Sequence, residues 1–151
     1  MRGYTFTAKA GETVARARAI ELPVSPKKTY EVLNALRGRS IESARAILED
    51  VIAKRRAIPF RRYNQETAHH TGTGPGRFPQ KIAKQLLQLL ANAEANAEYE
   101  GMDTDQLFIK VASCARGRIV RANMPRAHGR ATQWNEQTTN VEIVVAEREV
   151  S

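Results

Sequence analysis

The sequence lacks acidic side chains over one long stretch. From Gln106 to Asn135, thirty consecutive residues include no Asp or Glu. The basic residues of this stretch are Lys110, Arg116, Arg118, Arg121, Arg126 and Arg130. Arginine predominates among them, and its guanidinium makes forked contacts with phosphate and stacks on bases. A segment this cationic repels itself and holds little to fill a core, so we expect a polyanion to order it. Solvated charge scattered over a basic protein is the alternative.

Cysteine and long apolar runs are also scarce. The only cysteine, Cys114, excludes a disulfide within the chain, and we expect a reducing, cytoplasmic compartment. No run approaches the roughly 18 apolar residues of a membrane span, so no membrane partner is expected. Met1 to Tyr4 leads into polar sequence, and we expect no apolar signal core there.

The remaining composition favours a globular body with an anionic partner. With 151 residues, the chain fits one domain, which we expect to span residues 1–151. A hydrophobic content of 42% argues against wholesale disorder, and the net charge is +8. Between Val51 and Ala93 the only acid is Glu66. The basic residues of that region are Lys54, Arg55, Arg56, Arg61, Arg62, Arg77, Lys81 and Lys84. This asymmetry predicts one face turned toward RNA or DNA.

Apolar periodicity predicts three helices and three strands. The helices are expected at residues 25–37, 40–53 and 79–99, and the strands at 14–22, 107–111 and 141–145. Ser25 and Ser40 occupy N-cap positions, and Arg45 is spaced to pair with Glu49 at i,i+4. The last two strands would pair as an antiparallel hairpin whose arms hold up to about eighteen residues each, reaching on the order of 60 Å. Its tip would stand far outside the body.

Residues 57–78 contain several Pro and Gly residues that forbid a long helix or a central strand. A loop of this length in a compact domain is usually functional or disordered. Its side chains suited to RNA contact are Arg61, Arg62, Tyr63, His69, His70 and Arg77. An RNA-contacting loop and a mobile insertion are the two readings.

Catalytic, metal and nucleotide sites find little support. His69, His70, His128 and Cys114 match no standard zinc spacing. A Cys–His nucleophile pair would lack an orienting group and an oxyanion site. The glycines of residues 72–76 lack both a preceding strand and a following Lys-Ser/Thr. We therefore expect no enzyme, no metal and no cofactor. Cys114 is interpreted as a small strand residue.

Residues 124–131 have the pattern of a hairpin tip. Pro125 and Gly129 punctuate a turn, and Arg126, His128 and Arg130 alternate around it, an arrangement suited to a crevice in folded RNA. Residues 124–132 resemble the hairpin tip of the archaeal form of the large-subunit ribosomal protein numbered twenty-two, whose eukaryotic counterpart is numbered seventeen.

The resemblance extends over nearly the whole chain. Residues 25–28 (Ser-Pro-Lys-Lys) resemble the start of the family's first helix, and residues 36–40 (Leu-Arg-Gly-Arg-Ser) its helix-to-helix junction. Residues 59–62 and 76–81 resemble the ends of a loop insertion found in the archaeal and eukaryotic branch. Phe78 departs from the pattern, because tyrosine is common at that position.

The resemblance implies an α+β fold, with a small antiparallel three-stranded sheet packed by three helices and a long protruding β-hairpin. It implies a structural protein of the large ribosomal subunit whose hairpin arm, about residues 112–136, threads ribosomal RNA and lines the nascent-peptide exit tunnel. The implied partners are large-subunit ribosomal RNA, neighbouring ribosomal proteins and, at the tip, the nascent polypeptide. No homo-oligomer is expected.

Charge and resemblance together give the expected interface. The predicted RNA contacts are Lys54, Arg55, Arg56, Arg61, Arg62, Arg77, Lys81, Lys84, Lys110, Arg116, Arg118, Arg121, Arg126, His128 and Arg130. The predicted tunnel tip comprises Met124, Pro125, Arg126, Ala127, His128 and Gly129. The alternative function is an architectural DNA-binding protein whose basic arm enters a groove. An RNA-modifying enzyme is disfavoured because no catalytic constellation converges.

Overall fold

The computed structural model describes residues 4–9 and 11–148. Its helices are α1 (Pro26–Leu36), α2 (Ile41–Ile52) and α3 (Gln80–Tyr99). Its strands are β1 (Val14–Leu22), β2 (Ile58–Pro59), β3 (His69–His70), β4 (Gly74–Arg77), β5 (Leu107–Val120), β6 (Asn123–Pro125), β7 (Ala131–Gln133) and β8 (Glu136–Glu147). The α+β fold predicted from the sequence is confirmed, and β1 has the predicted bounds.

The main sheet is antiparallel, with β8 in the centre between β1 and β5. Residues 141–145 of β8 are all buried, Glu142 among them, because a central strand is covered on both faces. β5 pairs antiparallel with β8 from Leu107↔Glu147 to Val120↔Glu136, the pairing predicted for residues 107–111 and 141–145. The ladder therefore continues well beyond the short apolar runs from which the pairing was predicted.

The three helices supply the rest of the core. α3 carries the apolar stripe predicted for it, including Leu86 and Leu90, which are fully buried. These side chains pack with Leu33 and Leu48 of the other helices and with the sheet residue Ile143. The cluster joins residues of all three helices with Val141, Ile143 and Val145, which share one face of β8. The core therefore lies between the helices and one face of the main sheet.

Local signals set the helix ends. The Ser40 side chain accepts a hydrogen bond from the backbone N–H of Ser43 at 3.3 Å, as expected of an N-cap. Ser25 occupies the N-cap position of α1, but its side chain makes no capping bond. Gly38 adopts a left-handed φ of 73° between α1 and α2, and its N–H donates to the Ile109 carbonyl at 2.9 Å. This junction is thereby joined to β5.

One predicted pair is wrong. Arg45 does not pair with Glu49 along α2; its guanidinium instead meets the Glu94 carboxylate on α3. The packing of α2 on α3 brings a carboxylate from the neighbouring helix within reach, which spacing along one helix cannot reveal. The result is a salt bridge that ties two helices together.

Residues 57–78 fold as a small sheet of their own. Its strand order is β2-β4-β3, and the buried side chains of Ile58 and Phe60 attach it to the body. Two-residue strands are compatible with the many Pro and Gly residues, because neither a long helix nor a long strand is required. The loop is therefore built into the fold beside α1.

In the described ranges, 4–9 and 11–148, no helix combines the length and the apolar character needed to cross a membrane.

Candidate nucleic-acid interface

The hairpin leaves the body as an exposed arm. Ala112 is buried and Cys114 partly buried, whereas every residue from Arg118 to Glu136 is exposed except Met124, which is partly exposed. About twelve residues separate Arg116 from the tip, so at about 3.3 Å per residue the tip stands roughly 40 Å from the body. The radius of gyration expected for a domain of this size is only about 15 Å. The arm is thus a long projection with almost no core.

Backbone pairing gives the arm its shape. The β5–β8 ladder is irregular between Arg116 and Ile119, and β6 and β7 extend it as a second ribbon pairing residues 123–125 with 131–133. Between the ribbons, the N–H of Trp134 donates to the Ala122 carbonyl at 2.6 Å. Side chains on both faces of this ribbon point into open space.

The tip is a tight turn at Ala127–Gly129. His128 and Gly129 both adopt left-handed conformations, with φ values of 59° and 65°. The turn is closed by the N–H of Arg126, which donates to the Arg130 carbonyl at 2.8 Å. The turn predicted from Gly129 is confirmed, whereas Pro125 lies in the β6 ribbon opposite Ala131.

The arm displays its cations without carboxylate partners. Salt bridges of the described residues include those of Arg45, Arg55 and Lys110, and none is formed there by an arginine of the arm beyond residue 115. Arg126 is oriented instead by its Nε donor bond to Thr132 Oγ1, at 3.1 Å. The arginines at 116, 118, 121, 126 and 130 and His128 are all exposed. The arm can therefore offer an anion several guanidinium groups at once.

Sequence reasoning missed the apolar side chains of the arm. Ile119, Val120 and Trp134 are exposed, at 50%, 42% and 53%. The signal that could have revealed them is a tryptophan within an acid-free segment, since indole stacks on bases.

The predicted basic residues of the body are all exposed, and most of them gather where α2 ends and α3 begins. The Gln80 side-chain amide donates to the Ile52 carbonyl at 2.5 Å, which joins these two helix ends. Lys54–Arg56 and Lys81 are thereby brought to one side of the molecule. Arg56 and Arg61 line one shared cleft. We call the surface formed by Lys54–Arg56, Arg61–Arg62, Arg77, Lys81 and Lys84 the body surface.

Some of these cations already have partners. Arg55 pairs with Asp50 at 2.7 Å, and an Arg77 guanidinium nitrogen donates to Thr67 Oγ1 at 3.3 Å. Lys110 is set apart from both basic surfaces, because its ammonium meets the Glu12 carboxylate. Lys110 and Arg55 are thus the predicted contacts whose charge is already offset by a carboxylate of the chain itself.

The histidines and Cys114 do not come together. The His70 ring meets the edge of Phe78, with 4.9 Å between ring centroids, and His128 is at the arm tip. Burial raises the pKa of the Cys114 thiol, and the nearby Arg37 guanidinium lowers it to a smaller extent. Within residues 4–9 and 11–148, no cluster of three His, Cys, Asp or Glu side chains could hold a metal ion.

Comparison with known proteins adds to this geometry. The family model described as ribosomal protein L22p/L17e matches residues 17–146. The chain is 47% identical over 136 residues to the large ribosomal subunit protein uL22 of Methanothrix thermoacetophila, covering 88% of this chain and 90% of that protein. It is 44% identical over 148 residues to uL22 of Archaeoglobus fulgidus, covering 96% of both. It is 41% identical over 147 residues to uL22 of Thermoplasma volcanium, covering 97% and 98%.

Proposed function

Because the chain belongs to the ribosomal protein L22p/L17e family, we propose that the body surface and the arm bind large-subunit ribosomal RNA. Membership of this family makes the chain a protein of the large ribosomal subunit. Because the family is not enzymatic, the chain is not an enzyme. Its compartment is the cytoplasm, where the large subunit acts, and its partners are components of that subunit.

The acid-free arm carries this proposal. It displays arginines on a hydrogen-bonded ribbon roughly 40 Å long, while its side chains contribute almost nothing to the core. Since the arm does not stabilise its own domain, we infer that it serves to bind a partner that surrounds it. Ribosomal RNA is a partner of the right charge, and its folded interior is deep enough to receive a projection of this length.

The body surface gives a second attachment. Its cations lie just after α2, on α3 and in or beside the small sheet, all of which pack on the core. The cations of the arm lie outside the core. The body would therefore hold the protein on the subunit, and the arm would reach into the RNA and support assembly. We also propose that residues 1–151 form a single domain, with residues of about 112–136 as its extension.

The tip, Met124–Gly129, would line the nascent-peptide exit tunnel. The turn is left-handed and narrow, and every side chain of the tip except that of Met124 is exposed. RNA of the tunnel wall would cover one side of this turn, and the opposite side would face a nascent chain. The alternative hypothesis, an architectural DNA-binding protein, is not supported by the family to which the chain belongs.

A photoreactive side chain at position 127 tests the tunnel placement. With the variant incorporated into archaeal large subunits that carry a stalled nascent chain, Ala127 replaced by benzoylphenylalanine should crosslink to that chain. The matched control replaces Ala91, an exposed residue of α3, and should give no such crosslink. A subunit-bound variant with no crosslink at 127 would refute the tunnel placement and leave RNA binding untouched.

A further inference from the structure

We propose that a cleft at the base of the arm holds an unpaired RNA base, which stacks on Tyr63 while the adjoining phosphates meet Lys27 and Arg116. The cleft lies between the start of α1, the segment after β2, and β5 where the arm leaves the body. Its volume is about 270 Å³. This inference rests on the proposed binding of ribosomal RNA and names one site within it.

Tyr63 is displayed at the mouth of the cleft. The residue is 75% exposed, and its backbone has a left-handed φ of 54°, which is rare for a bulky residue. Such conformations persist where the surrounding structure holds them, and they concentrate at ligand-binding sites. A large aromatic ring held outward in this conformation has a use if a flat partner covers it.

A buried carboxylate holds the segment that presents the ring. Glu31 of α1 is only 3% exposed, and its Oε1 accepts hydrogen bonds from the N–H groups of Arg61, at 3.2 Å, and Arg62, at 2.9 Å. The two residues before Tyr63 are thereby tied to the helix. These bonds to backbone donors also occupy the one acidic side chain lining the cleft, so the walls present cations to a ligand.

The cations are arranged around aromatic rings. Lys27 Nζ lies 4.2 Å from the centroid of the Tyr63 ring, and the Arg62 guanidinium lies 5.1 Å from that of Tyr30. Arg116, the first arginine of the arm, completes the lining. Tyr63 remains mostly exposed although Lys27 covers part of it, so there is room for a second flat group on the ring.

These features specify the class of ligand. Aromatic rings interleaved with cations bind single-stranded nucleic acid, in which bases stack on the rings and phosphates meet the charges. A regular RNA duplex keeps its bases stacked on one another, so the occupant is a base from a loop, a bulge or an end. The cleft adjoins Arg61–Arg62 of the body surface and Arg116 of the arm, so one RNA strand can follow all three.

The test compares affinities for an archaeal large-subunit ribosomal RNA transcript. Base–aromatic stacking corresponds to a loss of affinity of about 5- to 150-fold when the ring is removed, which is the effect expected of Tyr63→Leu. Tyr63→Phe keeps the ring and should bind within about twofold of the unaltered protein. The matched control is Tyr99→Leu, since Tyr99 is also exposed, at 91%, but lies among acids at the end of α3.

Ultraviolet crosslinking of the same complex locates the base. An RNA nucleotide should remain on Tyr63 after trypsin, within the peptide of residues 63–77, and Tyr63→Leu should remove it. If Tyr63→Leu binds the transcript as tightly as the unaltered protein, the stacking site is wrong, and RNA binding through the basic surfaces stands. An equal loss for Tyr63→Phe would also contradict stacking. If the unaltered protein does not bind the transcript, RNA binding itself fails.

Discussion

Gly117 marks the point at which the arm leaves the body, and an alanine there should weaken the arm. A Cβ at this position would lie 2.3 Å from Thr138 Oγ1 on the facing strand, far inside normal contact distance. It would also lie 3.3 Å from the Asn140 side-chain oxygen. Thr138 is not free to yield, because it is 9% exposed and its hydroxyl donates to the Arg118 carbonyl at 2.8 Å.

The expected cost of Gly117→Ala follows from these contacts. Moving the Thr138 hydroxyl away breaks its hydrogen bond, at about 1 kcal/mol, and the misfit that remains adds about 1–3 kcal/mol. Replacing a strand glycine by alanine returns about 0.5–1 kcal/mol, because glycine loses more freedom on folding. We therefore expect the free energy of opening of the arm to fall by about 1–3 kcal/mol.

A double-mutant cycle isolates the clash. Thr138→Ala alone should cost about 1 kcal/mol through its lost hydrogen bond. In that background Gly117→Ala no longer meets a hydroxyl, and its cost should fall well below that in the unaltered chain, because only the contacts of 3.3 Å to the Asn140 side-chain oxygen and the Thr138 backbone carbon remain. The free energies of opening are measured by amide hydrogen exchange along residues 112–120 and 136–143. Additive costs for the two substitutions would refute the reasoning, because they would show that the two side chains do not compete for the same space.

Three further outcomes are expected. Arg121→Gln should lower the slope of log affinity for ribosomal RNA against log salt by roughly 0.7–0.9, the value of one phosphate contact. The control is Arg45→Gln, which should leave the slope unchanged because Arg45 pairs with Glu94. A chain in which an Asn-Gly turn joins Arg116 directly to Thr139 should still unfold cooperatively in urea, since those residues face each other in the ladder; loss of cooperativity would place the arm in the core. Because burial raises the pKa of Cys114, its alkylation by iodoacetamide should reach half-maximal rate at a higher pH than that of the urea-unfolded chain, and coincident profiles would contradict this.

Elements with a strong period were predictable from the sequence. The stripe from Ile82 to Ala97 places α3 correctly, and the small side chains alternating with Arg16 and Arg18 place β1. In both cases the period of the apolar residues matches the element, so local sequence and final packing agree. The apolar stripe predicted for α2 consists of Ile41, Ala44, Leu48, Val51 and Ile52. It omits Ile47, which is buried, because the core covers a wider face of that helix than the predicted stripe.

Contacts between distant segments were not predictable in the same way. Arg45 has two acids within plausible reach, and only the packing of α2 on α3 selects Glu94. The cleft below the arm brings together Lys27, Tyr63 and Arg116, which come from three separate segments. Composition marked the loop around Tyr63 as a candidate RNA contact, but it could not show that a buried glutamate fixes the segment beside it.

The arm combines an ordered backbone with the absence of a core, and this combination bears on how it works. A two-stranded hairpin without a packed face is marginal in water, so the β5–β8 and β6–β7 ladders define a shape more than they stabilise one. The mutual repulsion of the arginines opposes that shape until an anion offsets it. A hydrogen-bonded ribbon nevertheless has far fewer conformations than a disordered tail, so less entropy is lost when RNA fixes it. The β-ladder therefore sets the shape and direction of the arm. Because the arm has no acids to offset its arginines, it becomes fully stable only when an anionic partner binds.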